Sequence, residues 1–411
     1  MRFLKEVVED VKPSKDYEKD ILDRVNTIIG KINRKLKDGK AILGGSGAKG
    51  TWLKAFDADI FVKFKYSKYK DNDGELSDIL ERVLKKDFKI KRLHGSRDYF
   101  QLKQGGFTFE IVPILDIKKA EQAKNITDVS PLHAKWVLKY KKLQNEVRLV
   151  KQFCKAQGVY GAESYIMGFS GYICEILTVY YGSFLKLTRK AAKWKEKEVI
   201  DVKKYYKRKD VFRELNKSKL VSPLIVIDPV QADRNAAAAL SFENFDKFRK
   251  ACSKFLKKPS KKFFEEKEFS TAKIREKNKQ KKVLFLDVKP LGGKKDVIGC
   301  KLVKALEFIN NKLTEDDFKV FEHGWDWDGK AVFYFVLDKK VLNENVEKIG
   351  PPIKIKEHVK GFKKKHKKTF VKRNRIFALD KRKFRKSEEL IKSLFRNKYL
   401  KNKIKSIKFI K

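Results

Sequence analysis

Gly45-Ser46, a spacer of ten residues, then Asp57-Ala58-Asp59-Ile60-Phe61-Val62-Lys63-Phe64 is the stretch that decides the fold. Residues 57 to 66 alternate polar and apolar, which predicts a strand. Successive side chains on a strand face opposite ways, so Asp57 and Asp59 share one face while Ala58, Ile60, Val62 and Phe64 share the other. Ahead of it, Ala41-Ile42-Leu43 reads as a strand entering the turn Gly44-Gly45-Ser46-Gly47. Glycine lets backbone N–H groups approach a triphosphate closely. Two carboxylates on one face repel unless a cation lies between them, and Mg²⁺, a hard ion, prefers oxygen ligands. A third acid comes from Phe107-Thr108-Phe109-Glu110-Ile111-Val112, where Glu110 takes the face opposite Phe107, Phe109 and Ile111. Asp57, Asp59 and Glu110 are therefore candidate ligands for two Mg²⁺ ions, an arrangement suited to phosphoryl displacement. The competing reading is an exposed acid pair; the glycine turn and the third acid favour the metal site.

Outward from this core, Ile21, Val25, Ile28, Ile29 and Ile32 predict a helix over 17–37. Residues 98–103 and 107–115 predict two strands joined at Gly105-Gly106. From 134 to 257 the spacing is mostly helical, with one short strand at Leu224 to Ile227. Tyr165 to Leu187 is the most apolar stretch; Glu175 within it argues for a buried core helix and against a membrane span. Val283 to Lys289 and Lys330 to Leu337 predict strands, with Trp325 to Gly329 supplying an Asp-Gly turn. The fold class is α+β, in four parts: a catalytic head on a small mixed sheet (1–133), a helical, nucleotide-binding neck (134–257), a mixed, RNA-binding α/β body (258–384) and a short basic tail (385–411).

A chain of 411 residues predicts about two to four domains. The formal charge is +47, from 100 Lys+Arg against 53 Asp+Glu. Such an excess self-repels without a polyanion, and nucleic acid is the usual one. A thermophilic bias would raise the acids in step, and here they are not raised. Cys154, Cys174, Cys252 and Cys300 form no CxxC pair, which argues against zinc and for a reducing cytoplasm. The N-terminus has no apolar signal core. The run from Lys354 to Arg375 interleaves Lys and Arg with Phe362 and Phe370. Most such charges lie on a solvated face; beside the other signals they predict salt-sensitive phosphate contacts.

The Gly-Ser, spacer, Asp-x-Asp order resembles the nucleotidyltransferase superfamily of DNA polymerase β and the poly(A) polymerases. Residues 45–53 (GSGAKGTWL), 145–151 (NEVRLVK), 158–163 (GVYGAE), 168–172 (GFSGY), 228–230 (DPV), 234–238 (RNAAA), 350–352 (GPP) and 372–375 (KRNR) resemble archaeal CCA-adding enzymes, collinearly from about residue 5 to 384. That resemblance implies template-independent addition of C, C and A to a tRNA 3′ end from CTP and ATP. It implies metal binding by Asp57, Asp59 and Glu110, and recognition of the acceptor stem and T-arm by shape. Gly45, Ser46, Lys49, Lys151 and Tyr160 would hold the triphosphate with His133 near, and Arg234 would read the base. A homodimer is compatible with it. The family more often has Asp where this chain has Glu110. It also has a longer tail, whose grip on tRNA would fall here to Lys401, Lys403 and Lys405.

Each role has a plainer rival. Lys151 could be a solvated helix lysine, Tyr160 a core aromatic, His133 a turn or cap residue, Arg234 a partner of Asp233, and Gly168 to Gly171 a close-packing device. For the whole chain, the rivals are another terminal nucleotidyltransferase, such as a poly(A) polymerase-like enzyme, and a non-catalytic RNA-binding protein.

Overall fold

The computed structural model describes residues 1–54, 58–206 and 210–410. The chain forms two compact units, Met1–Lys267 and Glu268–Lys411.

The first unit opens with helix Phe3–Val11 and then helix Lys15–Lys35, which Ser14 starts by accepting the Tyr17 N–H. Its buried Ile21, Val25, Ile28 and Ile32 form the stripe that the periodicity predicts. They pack on a five-stranded sheet ordered β1-β2-β5-β4-β3: β1 (Gly39–Leu43), β2 (Ala58–Lys65), β3 (Ile90–Leu93), β4 (Tyr99–Gln104) and β5 (Phe107–Asp116). Only β2 and β5 run parallel. Ala58, Ile60, Val62 and Phe64 are at most 1% exposed, along with Phe109 and Ile111, so the alternation in the sequence does choose the core face. Gly105 and Gly106, at φ +58° and +81°, turn the β4–β5 hairpin where left-handed backbone is needed.

Beyond the sheet come helices Ser130–Val137, Gln144–Ala156, Gly171–Tyr181, Phe184–Ala191 and Phe242–Lys257. Phe153 sits at their centre, with Phe184, Phe248, Phe255 and Phe264 rings within 6 Å. Between the last two helices a three-stranded sheet, β6 (Glu198–Ile200), β7 (Leu224–Asp228) and β8 (Gln231–Asn235), carries the fully buried β7. The stretch Tyr165 to Leu187 is not one helix: Gly182, at φ +81°, ends the first and Ser183 caps the second. Among the described residues no helix is long and apolar enough to cross a membrane.

The second unit is built on β9 (Lys282–Pro290), β10 (Val320–Asp328), β11 (Lys330–Leu337), β12 (Asn345–Pro352), β13 (Thr369–Lys372), β14 (Arg375–Lys381) and β15 (Ile404–Ile410). One antiparallel sheet is ordered β10-β11-β9-β15 and backed by helices Lys295–Glu315 and Ser387–Leu394, a split βαβ arrangement. The other, β12-β14-β13, packs with helix Lys356–Lys365. Trp325 to Trp327 belong to β10, and Gly329 alone makes the left-handed turn into β11. The last residues differ from the expected separate tail. They return as β15 along β9, with Ile404 at 2% exposure inside the core and Lys405 in solvent. Ile404→Ala should therefore lower the stability of this unit by about 2–5 kcal/mol in a urea titration, whereas Lys405→Gln should leave it within about 0.5 kcal/mol.

Candidate active site

Asp59 on β2 and Glu110 on β5 are register partners in the parallel pair, so their carboxylates share a face one strand apart. Asp57 lies outside the described residues. The glycine turn meets this face directly. Gly44 N–H donates to Asp59 O at 2.8 Å, and a Cβ on Gly45 would lie 1.6 Å from Asp59 Oδ2. Gly45 also has φ +54°, so both the space and the backbone require glycine. Residues 45–49, expected as a turn, form one short helix instead, and Gly50 in left-handed backbone closes it. Among the described residues no three His, Cys, Asp or Glu side chains form a metal group. Asp59 and Glu110 are nonetheless hard oxygen donors, and Gly45 cradles one of them.

The segment after this helix is held from outside. Gln144 Nε2 donates to Lys49 O, Arg148 Nη2 to Gly50 O, Lys151 Nζ to Thr51 O and Arg148 Nε to Trp52 O, at 2.8–3.2 Å. Four successive carbonyls are thus capped by three side chains from one face of helix Gln144–Ala156, at spacings of four and three residues. This explains the motif at residues 145–151.

Lys151 is 2% exposed and gives its three protons to Thr51 O, Thr51 Oγ1 and Glu175 Oε1. It is neither the solvated lysine of the plain reading nor, in this structure, a free phosphate ligand. Glu175 Oε2 takes Lys49 at 2.9 Å, and Oε1 also accepts Thr51 Oγ1 at 2.6 Å. Burial pushes the Glu175 carboxyl up, but the Lys151 and Lys49 charges and the Thr51 hydroxyl bring it down to about 2. Burial lowers the Lys151 ammonium. The Lys49 ammonium also lies 5.0 Å from the Tyr172 ring centre.

A second buried acid organises the other side. Asp228, at the end of β7 and fully buried, accepts from His133 Nε2 (3.1 Å), Tyr172 Oη (3.0 Å), Val230 N–H (3.0 Å) and Arg234 Nη1 (2.5 Å). Arg234 is therefore the partner of Asp228, and Asp233 pairs with Lys219 instead. Burial pushes the Asp228 carboxyl up; the His133 bond, the Val230 N–H and the Arg234 charge outweigh it and hold it at about 2. His133 is buried inside helix Ser130–Val137, stacked on Tyr172 at 4.0 Å, and burial lowers its pKa against the pull of Asp228. Tyr160 bridges Phe169 by backbone, and its hydroxyl would lie 3.0 Å from a Cβ on Gly171, the first residue of helix Gly171–Tyr181. A Cβ on Gly168 would meet Val159 O at 2.1 Å, so that glycine does permit close backbone packing. Ser46, within the helix at 45–49, is half-buried beside Gly45. Sequence reading missed Asp228 and Glu175 as site residues, although each was visible as an acid embedded in an apolar run.

Three family models match in order along the chain: a nucleotidyltransferase domain over 25–133, the second domain of tRNA nucleotidyltransferase over 145–265, and the C-terminal domain of CCA-adding enzyme over 293–407. The CCA-adding enzyme of Nanoarchaeum equitans is 35% identical across 99% of this chain and 98% of its own length. The chain belongs to the CCA-adding enzyme family. The CCA-adding enzyme of Methanocaldococcus jannaschii is 32% identical across 95% of this chain and 90% of its own length. Among solved structures, the Cid1 poly(U) polymerase covers 65% of this chain and 98% of its own length, with TM-score 0.53 at 17% identity. A cytoplasmic RNA terminal U-transferase gives TM-score 0.52. These structural likenesses establish a nucleotidyltransferase fold; the matching nucleotidyltransferase domain model is of a family that generally uses divalent metal and nucleoside triphosphates.

Gly45→Ala should displace Asp59 and lower the rate of nucleotide addition on the order of 100-fold. Gly30→Ala, whose added Cβ meets nothing within 4 Å, should leave the rate unchanged. The low folded pKa values of Glu175 and Asp228 set the acid limit. Their contribution to stability is complete above the ordinary carboxylate range and is lost as pH falls from about 4 through about 2. Glu175→Gln should start about 3–5 kcal/mol less stable at pH 7 and lose less across that window; urea titrations from pH 7 to pH 2 would read equal losses in both proteins if the assignment were wrong.

Proposed function

We propose that this chain builds the CCA end of tRNA, adding C twice from CTP and then A from ATP and releasing pyrophosphate each time. The observation that carries the chemistry is the in-register pair Asp59 and Glu110 against Gly45. The tRNA substrate follows from the full-length relatives, named CCA-adding enzymes.

Asp59 and Glu110, with Asp57, would hold two divalent cations, taken as Mg²⁺, which supply electrostatic stabilisation of the attacking and leaving oxygens. Gly45 and Ser46 offer backbone N–H groups to the triphosphate, with Lys49 and Tyr160 near it. Lys151 acts at one remove, holding Thr51 and the Lys49–Glu175 pair in place. Arg234, oriented by Asp228, presents a planar donor fork to the incoming base. Positioning and fixed charge then lower the barrier for attack by the 3′-hydroxyl.

A tRNA lacking its CCA end, given each nucleotide in turn, should gain C, C and A and then stop. A long homopolymer tail would identify another terminal transferase. Asp59→Asn should abolish incorporation while tRNA affinity stays within about two-fold, since it removes no phosphate contact. Undiminished incorporation would sink the metal assignment.

A further inference from the structure

A cavity of about 330 Å³ opens on the first unit where the 118–121 segment, helix Ser130–Val137 and the residues after it, the 203–205 loop and the Pro229-Val230 turn meet. Lys118, Lys119, Lys135, Lys139 and Lys203 ring it, all exposed. Among the described residues none of these five is ion-paired, though the same unit pairs many of its other lysines. Glu121 is the one acid lining the cavity. Five unpaired ammonium groups around one cavity repel each other until an anion enters.

The floor is not charged. Leu132, Trp136, Pro229 and Val230 give it an apolar surface. The Trp136 indole N–H, in a residue 3% exposed, has no acceptor among the described residues. Tyr205 stands at the wall with 44% of its surface exposed, yet its hydroxyl donates to Pro229 O at 2.8 Å. An aromatic ring that is both tethered and open is a stacking platform. Lysines as point charges for phosphate, beside a fixed aromatic face, are the recurring means of holding a single strand.

We propose that this cavity binds one unpaired nucleotide of an RNA strand, its base on Tyr205 and its flanking phosphates on the lysine ring. The proposal deepens the CCA-adding reading, on which it rests for the identity of the RNA. The site is separate from Lys49, Glu175 and the acids of β2 and β5. It backs onto the base-reading side, because Val230 lines the cavity and also donates its N–H to Asp228, which holds Arg234.

The test is direct binding by the full-length protein, without nucleotide or metal, to a short labelled single-stranded RNA and to the duplex of the same strand. Tyr205→Ala should weaken the single strand roughly ten-fold and the duplex hardly at all. Lys135→Gln/Lys139→Gln should flatten the plot of log affinity against log salt by about 1.4, roughly 0.7 per lysine. Both are surface changes, and thermal melts should match the wild type. Unchanged affinity and slope would overturn the site, and so would equal losses on single strand and duplex. Weaker CTP binding with RNA binding untouched would also overturn it. A wild type that binds single strands in this way but never extends tRNA would leave the cavity assignment standing and remove the CCA-adding reading instead.

Discussion

The candidate site is anchored by four consecutive backbone carbonyls, Lys49 to Trp52, being capped by Gln144, Arg148 and Lys151. Residues 49–52 belong to no named strand, and buried carbonyls without donors are costly. Side chains do the capping, and long cationic ones must be neutralised once they leave water. Glu175 answers that need for Lys151 and Lys49 together. The result is a buried charged knot of two lysines and one acid, and with Arg148 it ties residues 49–52 to the helices behind them.

Much of the head was legible because its information is local. Alternation from Ala58 to Phe64 selects one face, Phe109 and Ile111 repeat the rule, and paired glycines turn the hairpin. The metal candidates Asp59 and Glu110 follow from that pattern once the two strands are neighbours. The partners of Lys151 and Arg234 were not legible. Glu175 is 126 residues from Lys49, and Asp228 is 95 from His133; such pairings leave no periodic trace. Their local signal is a single acid inside apolar sequence. At Glu175 that signal was strong enough to argue against a membrane span, yet a buried acid also calls for a buried cation, and Lys151 supplied it.

The end of the chain shows the opposite error. Its lysines suggested a short basic tail, but Ile407 and Phe409 alternate with lysine as in a strand, Ile404 joins them across a register shift, and β9 offers an edge for it. In a chain this basic, charge hides the apolar period. Lysine stems can lie along a sheet while their ammonium groups stay in water, so a strongly positive segment can be structural and still present phosphate-seeking charge on its outer face.

Helix Gly171–Tyr181 carries Tyr172, which touches Asp228, and Glu175, which touches Lys49, Lys151 and Thr51. The two lie three residues apart, so about 4.5 Å of helix rise separates the anchor points of the two buried acid clusters. One inserted or deleted residue between them would swing one anchor about 100° from the other. The length of that single turn is thus closed to drift, whatever side chains surround it.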